Sequence, residues 1–134
     1  LYDNSIVSYV LGHSNNNKLV FDTFDLGIER NPNASPLFHS DRGFQYTSKA
    51  FKLKLDKVSA IQSMSRIGRC IDNGPIEGFW GIIKSEMYYL RKYDSFDELK
   101  LAIDNYLEFY NNRRSQKRIK GLSPIEYRTQ TLVA

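Results

Sequence analysis

Hydrophobic and polar positions follow two rhythms along this chain. The run SIVSYVL, Ser5 to Leu11, is dense in β-branched and aromatic residues and predicts a strand. GHSNNN, Gly12 to Asn17, breaks it as a loop whose asparagines can cap a helix. From Lys18 to Arg30, Leu19, Phe21, Leu26 and Ile28 recur loosely at helical spacing, which predicts a helix. NPNASP, Asn31 to Pro36, ends that pattern. Leu37 to Ser40 predicts a short strand running into Asp41, and Thr47 or Ser48 can cap a helix reaching about Lys57. Ser59 to Met64 predicts another short strand. SRIGRCIDNG, Ser65 to Gly74, has two glycines and no clean period, so it predicts a loop.

The second half is more helical. Asp72 or Asn73 can cap, and Pro75 suits a first turn because its missing N–H costs nothing there. IEGFWGIIKSEMYYL, Ile76 to Leu90, carries that helix on, with Phe79 and Trp80 expected in the core. Gly78 and Gly81 weaken it by about 1 kcal/mol each relative to alanine. Ser95 caps a long helix, FDELKLAIDNYLEFYNN, with Glu98 at the capping-box position and Leu99, Ile103, Tyr106 and Tyr110 along one side. GLSPIEYR, from Gly121, reads as a Gly/Pro-punctuated end. No repeat and no dividing linker is visible, so residues 1–134 read as one domain. Strands alternating with helices predict an α/β layered fold, and in such folds sites sit where strands end.

Composition narrows the classes. The 134 residues are 41% hydrophobic and 25% charged, as expected of a globular chain. Nothing approaches the run of about 18 apolar residues that spans a membrane. No cleavable signal is visible at Leu1, and a start without methionine fits a fragment. The single cysteine, Cys70, excludes an internal disulfide and a cysteine-based zinc site, suits a reducing interior, and reads as inert. A net charge of +4 is a mild bias towards anionic partners. Its distribution says more. NNRRSQKRIK, from Asn111, holds Arg113, Arg114, Lys117, Arg118 and Lys120 and no acid. Such a run is commonly just a solvated basic loop. The sharper reading is contact with nucleic-acid phosphates, within a basic C-terminal tail, 111–134, of the same domain.

Two acids stand at informative positions. Asp41 follows a strand, and Glu77 lies in the first turn of a helix, with 35 residues, 42 to 76, between them. Lys84 follows Glu77 by two helical turns and shares its face. Taken singly, Asp41 is a turn residue, Glu77 a helix-start acid favoured by the dipole, and Lys84 a solvated cation. Together they suit phosphodiester chemistry, which needs charge neutralised on the attacking and leaving oxygens. Two Mg²⁺ ions on hard carboxylate oxygens do this. Glu86 is a rival acid, but nine residues after Glu77 it points to nearly the opposite face. His39 shares the face of Asp41 and more often such a histidine simply packs or hydrogen-bonds. Asn73 reads as a cap. Arg66 and Arg69, beside the Glu77 helix, are candidate DNA contacts.

Three stretches, HSDRGFQYTS (39–48), SMSRIGRCIDNGPIEGFWGIIKSE (63–86) and YNNRRSQKRIKGLSPIEY (110–127), resemble the catalytic core of bacterial insertion-sequence DDE transposases, with a retroviral-integrase-like, ribonuclease H-type fold. The resemblance covers nearly the whole chain. It implies that Asp41 and Glu77 are the second and third members of a D–D–E triad binding Mg²⁺, or Mn²⁺ in its place, with Lys84 as the basic residue after the Glu. It implies cleavage at transposon ends, transfer of a 3′-hydroxyl to target DNA, a homo-oligomer, and a bacterial cytoplasmic, nucleoid-associated setting with no membrane. The chain departs from the family pattern in one respect. The first Asp and first strand have no counterpart, since LYDNSIVSYVLG resembles the third strand and its approach, and Asp3, Asp22 and Asp25 fall in the wrong segments. The expectation is therefore a ribonuclease H-like mixed sheet with flanking helices that lacks its first strand or strands. Such a chain repairs itself by dimerisation, strand exchange or a rearranged edge, and is weak or inactive in catalysis. Two other classes stay open: a ribonuclease H-like nuclease using water, and a non-catalytic DNA-binding or multimerisation fragment.

Overall fold

The computed structural model describes residues 2–133, the side chains of Cys70 and Val133 excepted, so the inertness expected of the Cys70 thiol lies outside the described residues. The chain is mixed α/β. In order it forms α1 (Asn17–Arg30), β1 (Leu37–Ser40), α2 (Phe44–Thr47), α3 (Lys49–Lys57), β2 (Ile61–Met64), α4 (Gly74–Glu86), α5 (Phe96–Asn112) and α6 (Pro124–Val133), with 3₁₀ turns at Cys70–Asn73, Tyr88–Leu90 and Lys117–Ile119. It divides into two compact units. One runs from Val7 to Ile76, and the other joins residues 2–6 to residues 77–133.

In the first unit, β1 and β2 pair in parallel, Leu37 opposite Ile61 and Ser40 opposite Met64. Helices α2 and α3 make the crossover that parallel strands require. Local chemistry fixes both long helices. The Asn16 carboxamide accepts from the Leu19 N–H at 2.9 Å to cap α1, and Ser48 Oγ accepts from the Phe51 N–H at 3.2 Å to cap α3. Ser48 also separates α2 from α3, because its backbone is extended at ψ 144°. The core is aromatic. Phe51 and Leu55 are 0% exposed. Around Phe51 lie Phe38 at 5.2 Å, Phe24 at 5.5 Å and Tyr46 at 5.6 Å between ring centroids, all edge-to-face, with Phe21 stacked at 5.7 Å. Such pairs add about 0.5–1.5 kcal/mol each beyond burial.

The second unit buries Ile83, Tyr106, Leu107, Tyr110 and Ile119, and is laced by polar bonds of long sequence separation. Arg128 Nε donates to the buried Asp3 carboxylate, and its Nη2 donates to Ser5 Oγ at 2.8 Å. The Asn111 amide accepts from the Ile6 N–H at 2.8 Å and donates to the Ile6 carbonyl at 2.9 Å.

Four expectations change. Residues 5–11 join no ladder among the described residues. Their backbone meets side chains instead: Asn111 at Ile6, and Arg30 Nη1 on the Val7 carbonyl at 3.2 Å. A β-rich run becomes a strand only beside a partner strand. The helix expected to Leu90 stops at Glu86, and Tyr88–Leu90 tightens into a 3₁₀ turn. The punctuated end is helix α6. Ser123 and Glu126 form a capping box around Pro124, the Ser123 N–H donating to Glu126 Oε2 at 2.8 Å and the Glu126 N–H to Ser123 Oγ at 3.4 Å. That SPIE signal was present in the sequence. Trp80, expected in the core, is 51% exposed, whereas Phe79 packs edge-to-face on Tyr110 at 5.2 Å.

Candidate active site

Asp41 is the first residue beyond β1. It is exposed, and its Oδ1 accepts from the Gly43 N–H at 2.8 Å. This Asx turn fixes one carboxylate oxygen and leaves the other open. A Cβ on Gly43 would sit 2.9 Å from that Oδ1, so glycine is what lets the turn close so tightly. The charge of Asp41 is felt nearby: burial, and after it the Asp41 carboxylate, pushes the Tyr46 phenol up.

The loops leaving β1 and β2 are tied to one another at the carboxyl end of the sheet. The Ser65 N–H donates to the Ser40 carbonyl at 2.9 Å, and Arg42 Nε to the Ser65 carbonyl at 2.9 Å. Asn73 does not use its side chain as a helix cap. Its Oδ1 accepts from Ser65 Oγ at 2.9 Å, which anchors the 65–74 loop to the end of β2. Arg66 grips Asp72 with Nε at 3.0 Å and Nη2 at 2.8 Å, and its own N–H adds a bond at 2.9 Å. Those bonds, with smaller help from His39, hold the Asp72 carboxyl far below the usual carboxylate range. His39 Nδ1 lies 2.9 Å from Ser63 Oγ, directly across the ladder. Thus Asp41, Arg66 and Arg69 all stand on loops at one sheet end. Arg69 is exposed and makes no side-chain ion pair among the described residues.

Glu77 belongs to the second unit, in the first turn of α4, where the helix dipole favours its charge. It is exposed and makes no side-chain hydrogen bond among the described residues. Lys84 lies two turns further along α4, exposed and unpaired among those residues. Glu86, the rival acid, is engaged. Arg114 Nε donates to its Oε2 at 2.7 Å and Tyr106 Oη to the same oxygen at 2.8 Å. The Arg114 bonds, opposed by burial and aided by Tyr106, keep the Glu86 carboxyl below its ordinary value. Burial and Glu86 push the Tyr106 phenol far up.

The basic run splits by environment. Arg114 is held by Glu86 and lies over the Tyr110 ring at 5.7 Å. Arg113 pairs with Glu108 at 2.7 Å on the surface. Lys117, Arg118 and Lys120 are exposed on a loop closed by an antiparallel bridge between Gln116 and Leu122. Ile119 is buried beneath them, and Lys120 takes a left-handed φ of 60° to turn the chain. In the sequence these five cations look alike. Only the partners distinguish them.

Asp41 and Glu77 each present carboxylate oxygen free of protein partners among the described residues, the donor type that hard divalent cations take. Among the described residues no group of three or more His, Cys, Asp and Glu side chains is placed to hold a metal.

Residues 77–132 match the family described as "Integrase core domain". The chain is 41% identical over 132 residues to "Putative transposase InsK for insertion sequence element IS150" of Escherichia coli K12, covering 98% of this chain and 47% of that protein. It is 38% identical over 132 residues to an "Uncharacterized transposase-like protein" of Haemophilus influenzae, covering 98% and 61%. Against "Transposase for insertion sequence element IS904" of Lactococcus lactis it is 30% identical over 129 residues, covering 95% and 51%. The chain therefore spans about half to three-fifths of the length of these relatives. No solved structure matches it. By this core-domain match over residues 77–132 and by these relatives, aligned along nearly all of its own length, the chain is similar to insertion-sequence transposases and carries part of an integrase core domain.

Proposed function

We propose that this chain is the catalytic core of a DDE-type DNA transposase with a ribonuclease H-like fold, acting on element ends and target DNA as a homo-oligomer beside the bacterial nucleoid. The observation that carries the reading is the exposed Asp41 carboxylate at the carboxyl end of a parallel strand, followed after 35 residues by Glu77 on α4. Asp41 and Glu77 would hold Mg²⁺, or Mn²⁺ in its place. When bound, that metal neutralises charge on the attacking and leaving oxygens of a phosphodiester.

The remaining roles fall to the protein's own groups. The Gly43 N–H orients Asp41. The Ser65–Asn73 bond and the Arg66–Asp72 pair set the course of the loop that leads into α4. Lys84, Arg69, Lys117, Arg118 and Lys120 offer cations to DNA phosphates, each acting as a point charge or a fork according to its type. Arg66, Arg113 and Arg114 belong to the same DNA-facing set, and their acidic partners fix where their charge stands.

The test is a Mn²⁺ titration followed by electron paramagnetic resonance, paired with a joining assay on labelled duplex DNA. Changes to the outer shell of a metal site cost about 10–100-fold in affinity. Asp41→Asn and Glu77→Gln should each lower Mn²⁺ affinity by at least that much, and Glu86→Gln should not. Unchanged Mn²⁺ binding in both Asp41→Asn and Glu77→Gln would sink the assignment. Strand-joined products mark transfer, and products ended only by water mark a nuclease.

A further inference from the structure

The turn between α4 and α5 carries an aromatic surface that the active-site reading leaves unused. Its sequence is Met87-Tyr-Tyr-Leu-Arg-Lys-Tyr93, three tyrosines interleaved with two cations. Tyr93 is the anchor: its hydroxyl donates to the Met87 carbonyl at 3.2 Å. One face of its ring carries Tyr88, stacked at 6.0 Å and 18°, and the Arg91 guanidinium lies over it at 4.8 Å. Tyr89 meets Tyr88 edge-to-face at 5.6 Å. The outer members stay open, with Tyr89 71% exposed and Tyr88 46% exposed. The recess they border is about 700 Å³ and also bears Lys92.

Two acids are near. Glu98 is spent on the α5 start, its Oε2 accepting from the Asp94 N–H at 3.0 Å, and its other oxygen stands 3.8 Å from Arg91. Asp94 is exposed at the rim.

Exposed phenol faces beside exposed cations match one ligand chemistry well. Every nucleobase has a π-face that stacks on an aromatic ring, and its phosphate needs a cation within a few ångströms. The ordering of the rings favours this over an apolar peptide. The stack is fixed in advance by Tyr93 and Arg91, so binding a flat base costs little side-chain entropy. A duplex hides its base faces, so the site selects unpaired strands.

We propose that Tyr88 and Tyr89, with Arg91 and Lys92, form a stacking site for unpaired bases of single-stranded DNA. The proposal rests on the reading of the chain as a DNA-acting core, and it places the single strand on the α4–α5 turn.

The experiment is fluorescence anisotropy of the whole chain with a fifteen-nucleotide thymidine oligomer and with a duplex of equal length, without added metal. The protein should prefer the single strand. Tyr88→Ala/Tyr89→Ala should weaken single-strand binding about tenfold and leave duplex binding within about twofold. Tyr88→Phe/Tyr89→Phe should bind like the parent, because stacking needs the ring and not the hydroxyl. Arg91→Gln/Lys92→Gln should weaken the slope of log affinity against log salt by about one. Circular dichroism of each variant separates a lost site from a lost fold, and if the alanine pair unfolds the Arg91→Gln/Lys92→Gln pair carries the test, an unchanged salt slope then overturning the proposal. Equal single-strand affinity in the parent and a folded alanine pair overturns the proposal. So does a dimer, seen by sedimentation, that the alanine pair dissolves while DNA binding stays unchanged. Because Asp41→Asn and Glu77→Gln should keep single-strand binding while losing metal binding, failure of the stacking site and failure of the catalytic reading are told apart.

Discussion

The two units are held together by different physics. Residues 7–76 surround Phe51 with four aromatic rings, and Phe51 and Leu55 have no exposed surface. Residues 77–133 bury fewer large side chains completely. They rely on side-chain hydrogen bonds that join distant parts of the sequence, such as Arg128 to Asp3, Asn111 to Ile6 and Arg114 to Glu86. Apolar burial is non-directional and tolerates local change, whereas a polar network is stabilising only when each member has its partner. Each unit carries one proposed acid, and the manner of support differs in the same way. Asp41 is set by backbone, at the end of a ladder and inside a turn. Glu77 stands on a helix whose far end is held by the Glu86–Arg114–Tyr106 cluster.

The contrast is broken most directly at Phe51. Phe51→Ala removes a ring with no exposure from the centre of the aromatic cluster and should cost about 3–5 kcal/mol, measured by urea unfolding. Amide exchange resolved by segment should show the loss of protection in residues 7–76. Equal loss across residues 77–133 would contradict two separately supported units.

A smaller effect is expected at Asp3. Burial pushes its carboxyl up, but bonds from Arg128 and Ser5 outweigh this and leave it below 3.8. A depressed folded value means that the stabilisation is complete above the unfolded value and fades as pH falls through the folded one. Asp3→Asn should cost about 1–2 kcal/mol at pH 7, a figure discounted because Arg128 is partly exposed. The gap between Asp3→Asn and parent in urea midpoint should narrow on acidification below about pH 4. A gap independent of pH would show that shape, and not charge, holds the N-terminal segment.

The smallest expected change sharpens the picture at α4. A Cβ added at Gly78 or Gly81 meets nothing within 4 Å, so neither glycine is needed for packing. Gly78→Ala should raise stability by about 0.5–1 kcal/mol through helix propensity alone, read as a higher thermal midpoint. Destabilisation instead would reveal a contact on that face.

Much of the first unit was legible in the sequence. The caps at Asn16 and Ser48, the strand before Asp41 and the break at Asn31 are all short-range signals, and each appears where the pattern indicates. Helix α5 starts at its Ser95 signal, the Glu98 N–H bonding Ser95 Oγ at 3.1 Å, while the Glu98 carboxylate accepts from the Asp94 N–H at 3.0 Å, one residue before the cap. Helix α6 carried a signal of the same kind, and its Ser-Pro-Ile-Glu start outweighs the glycine and proline that suggested a mere end. Of the candidate site, the Asp41–Glu77 spacing and the cations could be read from the chain, but not their partners. That Glu86 belongs to Arg114 and Tyr106, or that Asn73 belongs to Ser65, depends on residues 28, 20 and 8 positions away.

By itself, then, the sequence determined the capped helix starts at Asn16, Ser48, Ser95 and Ser123, the two short strands, and which acids and bases are available, because capping and periodicity act over three or four residues. Tertiary structure decided the rest. It left Ser5–Leu11 without a ladder among the described residues, brought Trp80 to the surface, and sorted one basic run into an engaged Arg114 and exposed Lys117, Arg118 and Lys120. Strand pairing, burial and ion pairing need a partner that the chain brings near only by folding, and no local pattern names that partner.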